Sequence, residues 1–211
     1  VQLQSIAVAL ANRGPDDEGH WRHESLPLAF VHRRLSVIDT SDAGHQPITS
    51  SCGRYTIVFN GEVYNFRQLR THLTASGAKF RGHCDSEVLV EAISAWGFDE
   101  TVNRLNGMFA IVGFDRASNS IFLARDRVGE KPLYFGWSGK CFGFGSQLRI
   151  IAGLTAATPR IDRAQLSRYL QFSYVPAPLS IYENIAKLRP GHTLQFNIAD
   201  LEKGVTTDEL L

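Results

Sequence analysis

The chain of 211 residues is long enough for one substantial domain, or for one domain and the beginning of another. Hydrophobic residues make up 44% and charged residues 20%, which is typical of a folded globular protein and excludes disordered and fibrous classes. The formal net charge is +1, and Lys and Arg are scattered, which argues against nucleic acid or an anionic membrane as the main partner.

The three cysteines, Cys52, Cys84 and Cys141, are odd in number and far apart. This pattern favours a reducing intracellular compartment, the cytoplasm, over a disulfide framework. No apolar run approaches the ~20 residues that a bilayer-spanning helix needs. Residues 6–11 are apolar but follow no basic segment, which argues against a signal peptide.

Apolar periodicity and cap residues predict a series of elements along the chain. Helices are expected over residues 3–10, 66–75, 87–96, 99–105 and 161–170. Strands are expected over 28–31, 35–38, 55–59, 108–114, 120–124, 133–136, 141–144 and 193–198. Helices and strands come in clusters without regular β-α-β alternation. That order favours an α+β fold, with two antiparallel sheets and helices outside, over a doubly wound parallel sheet.

Asn60-Gly61, at the end of the strand over 55–59, raises a specific question. Asn-Gly flanked by apolar residues ordinarily signals a two-residue hairpin turn. Here only residues 62–64 separate the pair from the cap of the next helix, which is short for a returning strand. The pattern therefore favours a strand that continues through Asn60-Gly61 and leaves these groups on the rim of a sheet.

Three other stretches concentrate unusual residues: RGPDD at 13–17, HRRLS at 32–36 and CDSE at 84–87. Taken singly, they are typical of a loop, a solvated bend and a helix cap. His20 with His23, and His83 with Cys84 and Asp85, offer metal-ligand types, but no second close pair completes a tetrahedral zinc site. Neither Cys84 nor Cys141 lies in a recognisable nucleophile motif, and no G-x-x-x-x-G-K-[ST] phosphate loop is present.

Taken together and in order, six motifs resemble the glutaminase domain of glutamine-hydrolysing asparagine synthetases. They are NRGPDD at 12–17, HRRLSVID at 32–39, FNGEVYN at 59–65, DSE at 85–87, LNGMFA at 105–110 and RDRVGEKPLY at 125–134. YVPAP at 174–178 and LRPGH at 188–192 resemble the segment that leads to the synthetase domain of that family. The resemblance covers nearly the whole chain.

The resemblance implies an N-terminal-nucleophile hydrolase, a four-layer αββα sandwich. In that family a cysteine at position one of the mature chain attacks the side-chain amide of glutamine, and its own α-amino group handles protons. Ammonia leaves, a thioester remains for hydrolysis, and the ammonia attacks an aspartyl-adenylate in a second domain. The implied partners are thus glutamine here, and aspartate and ATP with Mg in the synthetase domain, without a cofactor in the glutaminase domain; a homodimer is left open.

By matching motifs, the resemblance also assigns site residues. Asn60 and Gly61 form the oxyanion hole, Arg34 holds the α-carboxylate of glutamine, Asp85 receives its α-ammonium group, and Glu62 helps to fix that end. The backbone of Val37 and Ile38 lines the same pocket.

The chain departs from the family at several positions. It has no N-terminal cysteine, and the helix over 3–10 matches one that follows the nucleophile strand, so about two dozen residues are expected in front of it. We expect the chain as given to be inactive alone. Asn12 stands where His is common, and Ser146-Gln147 stands where Ser-Glu is usual.

The expected organisation is a glutaminase domain over residues 1–198, lacking its first strand and nucleophile, followed over 199–211 by the start of a connection to an absent synthetase domain. Two alternatives stay open at this stage. One is a related amidotransferase with a different acceptor, which only a C-terminal region would decide. The other is a degenerate module that binds glutamine without hydrolysing it.

Overall fold

A computed structural model describes residues 3–36 and 42–211 of the chain. The helices are α1 (Leu3–Leu10), α2 (Phe66–Ala75), α3 (Asp85–Trp96), α4 (Phe98–Arg104), α5 (Leu148–Ala152), α6 (Arg163–Phe172) and α7 (Ile198–Glu202). The strands are β1 (Asp17–Arg22), β2 (Ala29–Arg34), β3 (Ile48–Thr49), β4 (Tyr55–Val63), β5 (Gly107–Asp115), β6 (Ser120–Arg125), β7 (Tyr134–Ser138), β8 (Cys141–Gly145), β9 (Ile185–Lys187) and β10 (Thr193–Asn197).

The described strands form three antiparallel sheets. The largest has the order β10-β6-β5-β4-β3, a hairpin joins β1 to β2, and the third sheet has the order β8-β7-β9. Side chains alternate across β5, so that Phe109 and Ile111 face one side and Val112 and Phe114 face the other. The large sheet therefore has an apolar core on each face.

These cores define four layers. Helices α2, α3 and α4 pack on one face of the large sheet, around residues such as Leu73, Val88 and Phe98. The two small sheets cover the other face, and a third apolar cluster lies under α5, around Ile151. The predicted α+β class, with two antiparallel layers between helices, is confirmed.

Two sequence predictions around the first small sheet differ from the structure. The strands expected over 28–31 and 35–38 were to flank a bend at His32-Arg33-Arg34, but those three residues lie inside β2. The reason is pairing with β1, a polar strand that apolar periodicity did not predict; its register places Asp17 opposite Arg34. Residues 37 and 38 lie outside the described residues.

The strand over Asn60-Gly61 behaves as predicted. β4 continues from Tyr55 through Asn60-Gly61 to Val63 and stays in register with β5 throughout. The hairpin interpretation of this pair is therefore wrong, and the rim interpretation is confirmed.

Helix α6 contributes little to these cores. Its side-chain cap is Asp162, which accepts from the N–H groups of Ala164 and Gln165, and Gln165 is its buried residue. Leu170 and Phe172 remain exposed, as does Tyr174 after the helix.

No helix within the described ranges combines the length and the apolar character that a bilayer crossing requires.

Asp126, at the end of β6, is fully buried and organises the loop after that strand. Its carboxylate accepts from the N–H groups of Val128, Glu130 and Lys131, and also from that of Phe109 in β5. Burial alone would raise the pKa of Asp126, but these N–H groups outweigh it and leave the pKa lowered. The charged form is therefore the one that the fold stabilises.

We expect Asp126→Asn to lower the free energy of unfolding by about 1–3 kcal/mol at neutral pH, because an amide presents one acceptor where the carboxylate presents two. Since folding lowers the pKa of Asp126, its contribution is present above the ordinary pKa of Asp and is lost as the pH falls through the folded value. Urea unfolding at several pH values measures this difference between the two proteins. The exposed Asp99→Asn is the control, and an equal, pH-independent effect of both substitutions would contradict the assignment.

Candidate functional site

The predicted site residues gather along one edge of β4. On its inner side β4 pairs with β5 over all nine residues, from Tyr55 opposite Asp115 to Val63 opposite Gly107. On its outer side β3 covers only Thr56 and Ile57. Beyond Ile57, within the part of the chain that the structure describes, the outer edge of β4 meets a succession of side chains instead of a strand.

Phe59, the next residue on the outer edge, is paired by the side chain of Gln46. The Phe59 N–H donates to Gln46 Oε1 at 2.6 Å, and Gln46 Nε2 donates to the Phe59 carbonyl oxygen at 3.1 Å. His32 Nε2 lies 3.2 Å from the same carbonyl oxygen. Burial of the His32 ring lowers its pKa to about 4, so the ring is neutral at neutral pH and donates from Nε2.

At the far end of the same edge, Val63 is paired by Asp85. The Val63 N–H donates to Asp85 Oδ2 at 3.0 Å. Asp85 is the first residue of α3 and is buried. Burial raises the pKa of its carboxyl, while the Val63 N–H acts in the opposite direction. A cationic partner would therefore relieve a carboxylate that has lost much of its hydration.

Gly61 lies between these two paired positions. Strand alternation sends its N–H to the same edge as those of Phe59 and Val63. Phe109 of β5, which faces Gly61, has its own N–H and carbonyl engaged with Asp126. Gly61 has φ 154°, and a Cβ at this position would collide with the carbonyl oxygen of Met108. Within the described residues, the Gly61 N–H is thus directed to an open place on the edge.

Asn60 points from β4 to the face that carries the small sheets. Its side-chain amide donates from Nδ2 to Ser146 Oγ at 2.9 Å, which links β4 to the end of β8. An amide nitrogen has two hydrogens, and the contact with Ser146 uses one of them. Glu62, half-buried and opposite Met108, follows on the same strand.

Arg34 ends β2 and is buried. Its guanidinium packs against Gly44, where any Cβ would collide with the guanidinium nitrogens. Gly44 ends the short turn Asp42–Gly44, two residues before Gln46. The turn therefore contacts Arg34 at Gly44 and, two residues later, contacts Phe59 of β4 through the side chain of Gln46. The backbone positions predicted at Val37 and Ile38 lie outside the described residues.

A large groove opens beside Asn60, between the two small sheets. Its volume is about 1190 Å³. Its floor comes from the large sheet, through residues such as Val58 and Val112, and helix α1 borders it through Leu3, Ile6 and Leu10. Strands β2 and β8 present their outer edges to this groove, since β2 pairs only with β1 and β8 only with β7 among the described strands. Phe30 of β2 and Phe144 of β8 are in contact, with ring centroids 5.4 Å apart.

Comparison with known proteins identifies the family of this chain. A family model described as a glutamine amidotransferase domain matches residues 1–206. The chain belongs to this family.

Named relatives of this amidotransferase domain include asparagine synthetase [glutamine-hydrolyzing] 3 of Bacillus subtilis (strain 168), 38% identical over 199 residues, which cover 92% of the chain and 32% of that protein. The putative asparagine synthetase [glutamine-hydrolyzing] 2 of Methanocaldococcus jannaschii is 31% identical over 218 residues, covering 93% of the chain and 41% of that protein. The chain spans about a third of the length of the relatives it matches.

Solved structures agree on the fold. The glutamine phosphoribosylpyrophosphate amidotransferase of B. subtilis, complexed with ADP and GMP, aligns over 81% of the chain and 33% of its own, with a TM-score of 0.57 and 21% identity. The amidotransferase domain described here therefore has the predicted N-terminal-nucleophile fold.

Three residues of the site were not predicted as such: Gln46, His32 as a partner of Phe59, and Ser146 as a partner of Asn60. Gln46 lies 13 residues before Phe59 and Ser146 lies 86 residues after Asn60, so no local pattern links them.

Among the described residues, no group of three or more His, Cys, Asp or Glu side chains could hold a metal ion.

We expect Gly61→Ala to lower the free energy of unfolding by about 1–3 kcal/mol, because it forces a side chain into positive φ and against the Met108 carbonyl. Gly53→Ala is the matched control, since Gly53 has φ 74° but no atom near its added Cβ. Urea unfolding of both variants separates backbone strain from collision. Equal losses would show that the strand relaxes around the added methyl group.

Proposed function

We propose that this domain hydrolyses glutamine to glutamate and ammonia. The observation that carries the proposal is the Gly61 N–H, directed to an open place on the β4 edge, preceded in the chain by the side-chain amide of Asn60, whose Nδ2 has a second hydrogen besides the one donated to Ser146. Two such N–H donors suit the oxyanion of a tetrahedral intermediate in acyl transfer. Glycine at the second position leaves no Cβ between the backbone and that oxygen.

The charged ends of glutamine match the two charges that flank this edge. Arg34 offers a planar guanidinium to the α-carboxylate, a geometry that Lys cannot reproduce. Asp85 offers a buried carboxylate to the α-ammonium group, and Glu62 assists it from β4. The backbone of Val37 and Ile38 completes the pocket in this proposal. Recognition of both ends selects free glutamine over a glutamine side chain within a peptide.

The nucleophile, in this proposal, is an N-terminal cysteine carried by an extended segment in the groove between β2 and β8. A strand there would pair with both free edges, join the two small sheets and have its first residue, the cysteine, beside Asn60. The thiol would attack the amide carbon, the carbon–nitrogen bond would break with the proton delivered to the leaving ammonia, and water would hydrolyse the thioester. Cys52, Cys84 and Cys141 lie inside the chain, and burial raises the pKa of the thiols of Cys84 and Cys141.

The named relatives support a destination for the ammonia. We propose that residues 1–198 form the glutaminase domain of a longer cytoplasmic protein, and that residues 199–211 begin the connection to its other part. There, ATP and Mg would activate aspartate for attack by ammonia. The relatives carry the name asparagine synthetase, which supports aspartate over another acceptor.

Ammonia release from glutamine by the full-length protein, with and without ATP and aspartate, tests the proposal. We expect glutamate and ammonia in both cases, and asparagine only with ATP and aspartate. Asn60→Ala should lower kcat for glutamine about 10²–10³-fold, because one oxyanion donor is lost. Full turnover in this variant would remove Asn60 from the oxyanion site. Glutamine binding without ammonia release by the parent protein would instead identify a non-catalytic binding module.

Arg34→Lys should raise KM for glutamine about tenfold or more while changing kcat less, because one ammonium replaces a bidentate guanidinium at the α-carboxylate. Arg33→Lys is the matched control on the same strand. Its guanidinium is directed away, to the Gly14 carbonyl and to Glu18. Steady-state glutaminase kinetics of the two variants decide the assignment. An unchanged KM in Arg34→Lys, or an equal rise in both, would contradict the carboxylate contact.

A further inference from the structure

We propose that Gln46 is a positioning residue for the oxyanion site, by which we mean Asn60 Nδ2 and the Gly61 N–H. Its side-chain amide takes the place of a neighbouring strand and fixes the Phe59 peptide groups immediately before Asn60. The inference rests on the proposed glutaminase function and adds to it a residue that does not touch the substrate.

The register of β3 and β4 places Gln46 opposite Phe59. Ile48 faces Ile57, so two residues further along, in antiparallel order, Gln46 faces Phe59. A continuing strand would pair Phe59 through a backbone N–H and a carbonyl. The Gln46 amide supplies the same complement, with one acceptor at 2.6 Å and one donor at 3.1 Å.

The Gln46 backbone is itself engaged elsewhere. Its carbonyl packs against Gly19 of β1, where a Cβ would collide with the Gln46 oxygen. The main chain has therefore left β4, and only the side chain reaches back to it. Gln46 is 6% exposed, so without this amide the Phe59 N–H would lose its partner in a buried setting.

The oxyanion site depends on this support because its two donors lie directly after Phe59 in the chain. The Phe59 carbonyl and the Asn60 nitrogen share one peptide plane, and the next plane carries the Gly61 N–H. Gly61 itself restrains the backbone least, since glycine is the most permissive residue. The chain is thus held before Gly61 by Gln46, with His32 on the same carbonyl, and after it by Asp85 at Val63.

Binding of glutamine uses other atoms. Arg34 and Asp85 take the charged ends in the proposed complex, and neither contact passes through Gln46 Oε1 or Nε2. Loss of the Gln46 amide should therefore leave the ground-state complex nearly intact and misplace the donors that act in the transition state. A misplacement of this kind lowers kcat rather than raising KM.

The matched control removes a different bond between the same two strands. Thr49 Oγ1 and Thr56 Oγ1 lie 3.0 Å apart across β3 and β4, away from Phe59. Thr49→Val keeps the side-chain shape and removes that hydrogen bond. It weakens the β3–β4 contact without touching the peptide that leads to Asn60.

The experiment compares glutaminase kinetics and melting temperature for the parent full-length protein, Gln46→Met, Gln46→Glu and Thr49→Val. We expect kcat to fall about ten- to a hundredfold in Gln46→Met, with KM for glutamine within about twofold. Gln46→Glu keeps the acceptor and the volume but sets a carboxylate oxygen against the Phe59 carbonyl oxygen in place of the donor, so its kcat should fall at least as far as that of Gln46→Met. This variant decides the matter if Gln46→Met does not fold. Thr49→Val should keep the parent kcat. A kcat loss in Thr49→Val that matches its loss in Gln46→Met, or unchanged kcat in both Gln46 variants, would overturn the proposal.

Hydrogen exchange separates this inference from the function on which it rests. In the folded Gln46 variants, peptides covering residues 59–61 should exchange about tenfold faster than in the parent, while the β3-paired residues 56–57 keep their protection. Unchanged exchange at 59–61 would overturn the positioning role, whether or not ammonia is released. A parent protein without glutaminase activity would refute the proposed function alone.

Discussion

The site depends on how the backbone of β4 is paired at its outer edge. A buried strand must satisfy its N–H and carbonyl groups, and one side of β4 does so uniformly through β5. The other side is paired by unlike groups in succession: β3, the amide of Gln46, and the carboxylate of Asp85. Gly61 occupies the interval between the last two. The proposed oxyanion site thus lies where regular sheet pairing stops.

The two buried carboxylates on either side of the β4–β5 pair, Asp126 and Asp85, have different surroundings. Asp126, on the β5 side, is surrounded by backbone N–H groups, which lower its pKa and hold a loop. Asp85, on the β4 side, accepts from the Val63 N–H and from the Cys84 thiol, and burial nevertheless raises its pKa. The first carboxylate is nearly saturated with donors and suits a structural role. The second retains a need for positive charge, as expected of a group that would receive an ammonium ion.

Local patterns predicted much of the fold. The helix over residues 66–75, the β5–β6 hairpin and the continuation of β4 through Asn60-Gly61 follow from periodicity, turn residues and spacing. β1 was missed because it is polar and gains its strand character from pairing with β2. The motifs also predicted Arg34, Asn60, Gly61, Glu62 and Asp85, which the structure collects around one strand edge. Gln46, His32 and Ser146 could not be predicted, because their roles come from contacts between segments remote in sequence.

The side chains of Gln46 and Asp85, which pair with the outer edge of β4, also limit what can bind to that edge. A free sheet edge ordinarily recruits another extended chain, which bonds to every second residue. Here Phe59 and Val63, the alternate positions on either side of Gly61, already have their partners. Among the described residues the opening is one residue long, so it offers one N–H to an acceptor and no ladder to a peptide or to an aggregating strand. At this place β4 thereby exposes one backbone N–H without exposing a strand edge that a second chain could extend.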